Sequence, residues 1–260
     1  MPNWVSNRLT ISGDKETLDE LQAQMATPYE SEHYNYKDNK VDKSITSGEF
    51  LLWNAIRPID LDTYYQRAET EQRIADRNNP IEEESKLTQE AVIDKIKEAV
   101  EKMPPMDSEE FQTGLAGIMA EMAVGMDWYN WNVRNWGTKW EISEAHVIRT
   151  DRELTYEFES AWSPPAEAIN NLAKQYPALT FVIKSLDENS CFACEIGWTS
   201  GEQSYDYDLP ITHELYVDLR GYCWACDVDE GAMDDPDLEE HREELGCLVS
   251  ATAGIEAENV

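Results

Sequence analysis

Four of the nine tryptophans in this 260-residue chain fall between Asp127 and Trp140, in the run Asp127-Trp128-Tyr129-Asn130-Trp131-Asn132-Val133-Arg134-Asn135-Trp136-Gly137-Thr138-Lys139-Trp140. Each ring buries roughly 150–250 Å² and needs a partner for its polar edge, so such a cluster locks elements together where a core meets polar backbone. The spacing predicts a short helix over about 127–136, with Gly137 as its C-terminal break and Lys139-Trp140 opening a strand. All four tryptophans are expected to be mostly buried at the junction between the two halves of the chain. A stacking platform for bases is the competing reading, but platforms come with basic grooves, and only Arg134 and Lys139 lie nearby.

The rest of the chain supplies alternating α and β signals. Val5, Leu9 and Ile11 alternate with polar residues as in a half-buried strand, and Asp14 caps a helix with Leu18, Leu21 and Met25 on one face. Tyr29 to Asp42 reads as polar and turn-rich, and Phe50 to Ile56 as a buried connection. Residues 60–110 read as a helical insertion, with a surface helix after Thr88 and a more apolar one carrying Phe111, Leu115, Ile118 and Met122.

Leu154, Tyr156 and Phe158 give the clearest two-residue period and form a hairpin with the run ending at Ile148. A helix capped from Ser163-Pro164-Pro165 and lined by Ile169, Leu172 and Ala173 follows. Strands over Leu179–Leu186 and Cys191–Trp198 complete the pattern. The order β-α, then β-β-α-β-β, predicts an α+β fold: an antiparallel sheet with helices on one face, plus the helical insertion and an acidic C-terminal extension. The corresponding domains are 1–136, 137–208 and 209–260.

Two segments carry a resemblance. Pro2-Asn3-Trp4-Val5-Ser6-Asn7-Arg8-Leu9, and Asn135-Trp136-Gly137-Thr138-Lys139-Trp140 preceded by Asp127-Trp128-Tyr129, resemble the YubB-like family carried by plasmids and phages. The resemblance implies a ferredoxin-like second half and a mobile-element origin. It implies no activity.

Charge narrows the function classes. Against 53 acidic residues stand 21 basic ones, a net charge of −32. That balance disfavours direct contact with nucleic acid or anionic lipid and favours a basic protein partner, although solubility alone accounts for it equally well. No segment approaches the roughly 18 apolar residues of a membrane span and no signal peptide is evident, so a cytoplasmic setting in a bacterial host cell is expected. The sharpest acidic run comprises Asp227, Asp229, Glu230, Asp234, Asp235, Asp237, Glu239, Glu240, Glu243 and Glu244, opposed only by Arg242. These ten residues are the candidate partner-binding surface.

Cys191-Phe192-Ala193-Cys194 and Cys223-Trp224-Ala225-Cys226 make two C-x-x-C units, a combination able to supply four thiolates to zinc. Against it, a strand at Cys191 places residues three apart on opposite faces, and neither unit holds the glycine or proline of a tight knuckle. Buried thiols acting as small apolar side chains are the competing reading, and no cofactor, metal ligand or catalytic residue is assigned. His146 and His213 lack a partner motif. No phosphate loop, dinucleotide fingerprint or nucleophile elbow occurs. The expected function is a non-enzymatic interaction protein whose carboxylates imitate nucleic-acid charge and block a basic host protein of defence or DNA processing. The alternatives are a zinc-stabilised accessory protein with uncharacterised enzymatic activity, or a phage structural component.

Overall fold

In a computed structural model, residues 3–78, 127–226 and 236–247 are described. By contacts the chain divides into two units: residues 1–29, 46–57 and 132–260 form one, and residues 30–45 and 58–131 the other.

The first unit holds a six-stranded antiparallel sheet in the order β4-β5-β1-β6-β7-β8. Its strands are β1 (Trp4–Ser12), β4 (Ala145–Arg149), β5 (Glu153–Ala161), β6 (Thr180–Asp187), β7 (Ala193–Thr199) and β8 (Glu202–Asp208). Helix α1 (Lys15–Met25) follows β1, and α6 (Ala166–Gln175) joins β5 to β6. Read as β1-α1-β4-β5-α6-β6, with the first and last strands adjacent at the centre, this is the ferredoxin-like arrangement, extended at one edge by β7 and β8.

One face of the sheet carries the main core. Leu9 and Ile11 stand beside Tyr156 and Leu154 on one side and Ile183 and Phe181 on the other, all fully buried. They pack with Leu18, Leu21 and Met25 of α1 and Ile169 and Leu172 of α6, the residues whose spacing predicts those helices. Phe50 closes the core, its ring 4.6 Å from Tyr156 and 5.1 Å from Phe158, as the buried-connection reading expects. At the centre Asn7 is buried, and its amide donates to Ser160 Oγ at 2.8 Å while its oxygen accepts from Ser185 Oγ at 2.8 Å. This cross-strand chain satisfies every polar side chain it brings inside, the condition for tolerating polarity in a core.

The tryptophan stretch forms α5 (Trp128–Asn135) and ends at Gly137, whose φ of 85° lies in the left-handed region. A Cβ there would sit 3.2 Å from both Pro164 O and Ala166 N, so glycine answers both backbone conformation and crowding. Trp136 is 1% exposed and donates from Nε1 to Ile56 O at 3.0 Å. The other three rings are mostly but not fully covered: Trp128 is 36% exposed, and Trp131 and Trp140 are intermediate. Nor does Lys139-Trp140 open a strand, since β4 begins at Ala145. Instead Lys139 lies over the rings of Trp140 and Trp162, at 4.8 and 4.6 Å, and stabilises both by cation–π attraction. Ser163 does not cap α6 either; its hydroxyl donates to Gly137 O, and α6 starts without a side-chain cap.

The second unit begins with a hairpin, β2 (Tyr29–Asn35) and β3 (Lys40–Thr46), where the sequence reads as turns. Helices α3 (Leu61–Tyr64) and α4 (Arg67–Asn78) follow. Arg67 grips the Glu32 carboxylate through two bonds, of 3.0 and 2.9 Å, and Tyr64 meets Trp131 edge-on at 5.6 Å. The helices expected after Thr88 and around Phe111 lie outside the described residues.

Candidate metal centre

The second face of the sheet is covered by a smaller core built from the C-terminal part of the chain. Ser6 and Arg8 point to this face, and helix α7 (His213–Arg220) lies over it: Arg220 Nε donates to Ser6 Oγ at 3.1 Å, and Arg8 joins Glu157 at 2.9 Å to Asp218. Leu186 and Ala193 pack there with Tyr216, Cys223, Ala225, Leu245 and Cys247. Thr212 caps α7 by accepting from Leu215 N at 3.2 Å, and Gly221, at φ 77°, ends it in the left-handed conformation. Helix α8 (Pro236–Glu244) returns the chain so that Leu245 O accepts from His213 N at 2.9 Å. That bond satisfies one of the donors a helix start leaves open.

This folding gathers His213, Cys223, Cys226 and Cys247, whose ligand atoms all lie within 4.8 Å of one another. Cys223 Sγ is 3.8 Å from Cys247 Sγ, and His213 Nδ1 is 3.5 Å from Cys226 Sγ and 3.4 Å from Cys247 Sγ. Cys223 and Cys247 are buried, while Cys226 is exposed. Burial pushes the Cys247 thiol up to about 12 and raises that of Cys226. As thiols these groups hold their protons more firmly than an exposed cysteine; a dication takes the proton's place and reverses that preference.

The cysteines divide differently from the two C-x-x-C units of the sequence. Cys223 to Cys226 does form a tight turn, closed by Cys226 N donating to Cys223 O at 2.9 Å, without an internal glycine or proline. The expectation that neither unit could turn is therefore corrected at this one. Cys191 and Cys194 stay apart from the cluster. Cys191 is exposed beside Asp187, whose carboxylate raises its thiol, and Cys194 belongs to β7, where burial pushes its thiol up to about 11. Their places in the tetrad are taken by His213 and Cys247, neither of which spacing singles out.

A cleft of about 690 Å³ opens on the same face, where α7 leaves β4, β5 and β1 uncovered. Glu144, Glu157, Glu159 and Glu188 line it, with Arg220 and His146. His146 Nδ1 is 3.3 Å from Glu157 Oε2.

Of the acidic candidates, Asp227, Asp229, Glu230, Asp234 and Asp235 lie outside the described residues, and Asp237 and Glu239 belong to α8. Glu240, Glu243 and Glu244 are exposed on α8, with His241 Nδ1 3.4 Å from Glu244 Oε2.

The strand order defines the class, an α+β protein built on a ferredoxin-like sheet, and a family match agrees. Residues 135–214 match the family described as a ferredoxin-like domain in Api92-like protein. Among solved structures, protein api92 from Yersinia pseudotuberculosis is similar over 80% of this chain and 98% of its own, at 10% identity and a TM-score of 0.36. No curated protein matches the chain. Among the described residues no helix is long and apolar enough to cross a membrane.

Proposed function

We propose that this chain is a non-enzymatic interaction protein of a phage or plasmid that offers carboxylates to a basic, normally nucleic-acid-binding surface of a host protein. The observation that carries the reading is the acid-lined cleft, where Glu144, Glu157, Glu159 and Glu188 stand with Arg220 and His146, only Glu157 among them being paired with Arg8, in a chain of net charge −32. Duplex DNA presents one phosphate per roughly 1.7 Å of axis, and closely set carboxylates reproduce part of that field. A Lys or Arg side chain of the partner enters the cleft and finds acids on several walls, whereas nucleic acid itself is repelled. The acidic residues from Asp227 to Glu244 add negative charge that steers encounter with a basic partner.

The test is capture of basic nucleic-acid-binding proteins from bacterial lysate by the immobilised full chain, at low and high salt, with and without competing double-stranded DNA. Capture that falls with salt and with added DNA supports the reading, provided that the variant Glu144→Gln/Glu159→Gln/Glu188→Gln captures less. Unchanged capture by the variant at both ionic strengths assigns the charge to solubility instead.

A further inference from the structure

We propose that Cys223, Cys226, Cys247 and His213 bind one zinc ion in a closed tetrahedral site that fastens α7 and α8 to the second face of the sheet. The first support is metrical. With Zn–S near 2.3 Å and Zn–N near 2.0–2.1 Å, a regular tetrahedron has S···S edges of about 3.8 Å and S···N edges of about 3.6 Å. Three of the six edges match, at 3.8 Å for Cys223 to Cys247 and 3.5 and 3.4 Å for His213 Nδ1 to Cys226 and Cys247, and the other three are no longer than 4.8 Å. Four donor atoms within 4.8 Å of one another can close on a single ion with small side-chain adjustments.

The donor set is selective. Three thiolates and one imidazole are soft to borderline ligands that suit zinc and exclude magnesium and calcium. Because the protein supplies all four positions, none is left for a water or substrate, which makes the site structural rather than catalytic.

The ligands also come from three separate segments: His213 opens α7, Cys223 and Cys226 flank the turn after it, and Cys247 follows α8. Two hydrogen bonds hold these segments in register: His213 N donates to Leu245 O at 2.9 Å, and the Arg242 side chain donates from Nε to Ala225 O at 2.7 Å. A disulfide is the obvious rival use of Cys223 and Cys247. Their separation of 3.8 Å is far from the bond length of roughly 2.05 Å, and a disulfide leaves the convergence of Cys226 and His213 unexplained.

The experiment is metal analysis of the full chain purified under reducing conditions without added metal, followed by chelation and titration with zinc or cobalt(II) alone. One zinc per chain is expected, with a fall in Tm on chelation that zinc restores. Cobalt(II) gives the visible bands of a tetrahedral site and a sulfur-to-cobalt transition that weakens with each cysteine removed. Cys223→Ser and Cys247→Ser lose the metal, the double variant Cys191→Ser/Cys194→Ser keeps it, and His213→Cys keeps it with a fourth thiolate. Should a serine variant fail to fold, the cobalt spectrum of the wild-type chain decides alone. A chain that carries no zinc, gains no Tm from it and shows no tetrahedral cobalt spectrum overturns the proposal. So does a site abolished by the Cys191/Cys194 variant but indifferent to Cys247.

Discussion

His213 Nδ1 lies 3.4 Å from Cys247 Sγ, although 34 positions separate the two residues. The contact joins the first residue of α7 to the turn after α8, so the C-terminal helix depends on whatever holds those two atoms together. The small core beneath them buries Tyr216, Leu186 and Leu245, while Leu209, Ile211, Leu215, Leu219 and Trp224 pack at its edge only partly buried. With zinc bound, tryptic cleavage after Arg242 is expected to be slow, since its side chain is held by Ala225 O. Chelation should accelerate that cleavage on the order of tenfold or more by raising the population opened locally, and leave the cleavage rate after Arg8 on the central strand unchanged. Peptide mapping over time makes the comparison; equal acceleration at both sites means that the cluster supports the whole fold rather than this segment.

The two tryptophans flanking Gly137 differ sharply in burial, and their truncations should differ too. Trp136 is enclosed, with its indole N–H satisfied by Ile56 O and its own carbonyl accepting from Ala168 N at 3.2 Å. Trp136→Ala should cost about 3–5 kcal/mol. Trp140 packs at 5.8 Å against Trp4 and under Lys139 while remaining partly exposed, so Trp140→Ala should cost only about 1–2 kcal/mol. Urea unfolding of both variants tests the difference, and similar midpoints would contradict the assignment of Trp136 alone to the core.

What the sequence discloses here follows the strength of the local signal. The alternation of Leu154, Tyr156 and Phe158 identifies β5 because these three apolar side chains are buried on one face of that strand while the other carries the polar Glu153, Thr155, Glu157 and Glu159. Gly137 marks a helix end because few other residues adopt its backbone angle. Edge strand β8 escapes the same reading: its only larger rings, Tyr205 and Tyr207, stack on each other at 5.0 Å, and Tyr207 is 61% exposed. Hairpin β2–β3 escapes for the same reason, since neither of its strands has a buried face. The cysteine tetrad was half visible. Cys223 and Cys226 announce themselves by spacing, whereas Cys247 and His213 reach them only through the return of α8, which no short-range pattern encodes. The fifth cysteine, left out of the paired C-x-x-C reading, was the available clue.

Glu141 makes a testable case of a partly buried carboxylate acting as a remote cap. It accepts from the backbone N–H groups of Leu52 at 2.5 Å, Trp53 at 3.0 Å and Ile142 at 3.0 Å, and from Tyr29 Oη at 3.1 Å. The first two donors open the short helix α2 (Leu52–Ala55), which has no cap of its own. Glu141→Ala orphans these donors and should destabilise the fold by about 2–4 kcal/mol, with Glu141→Gln recovering part of the loss through its remaining oxygen. Thermal unfolding of the two variants decides; a Gln variant no better than Ala would show that the second oxygen carries the effect.

Glu32 provides a pH-dependent contribution whose sign is fixed by its partners. The Arg67 guanidinium, assisted by Lys43 at 3.2 Å, holds its carboxyl below the ordinary value of 4.5. A depressed folded-state pKa adds stability that is present above the unfolded value and lost as pH falls through the folded one. The hairpin should therefore loosen only in acid, below about pH 4.5. Arg67→Lys, which keeps the charge but loses the two-pronged bond, should shift that loosening toward higher pH. Carboxyl chemical shifts of Glu32 across the acid range measure both effects. A carboxyl titrating at its ordinary value in the wild-type chain would remove the ion pair from the account.

The C-terminal acids separate stability from binding. Glu240, Glu243 and Glu244 are exposed, and exposed charges contribute little to folding but much to the rate of encounter with an oppositely charged partner. Neutralising Asp234, Asp235, Asp237, Glu239 and Glu240 to Asn or Gln should therefore leave Tm unchanged or raise it, because the change relieves like-charge repulsion in a chain of net −32. Association with a basic partner should slow, and its dependence on salt should flatten as fewer charges act at long range. The zinc content of this variant should stay at the wild-type level, since none of the five side chains belongs to the tetrad. Binding kinetics at two ionic strengths, run beside metal analysis and thermal unfolding on the same preparation, resolve the alternatives. Unaltered association with increased aggregation assigns these acids to solubility, whereas slower association at undiminished Tm and zinc content makes them the steering face of the interaction surface.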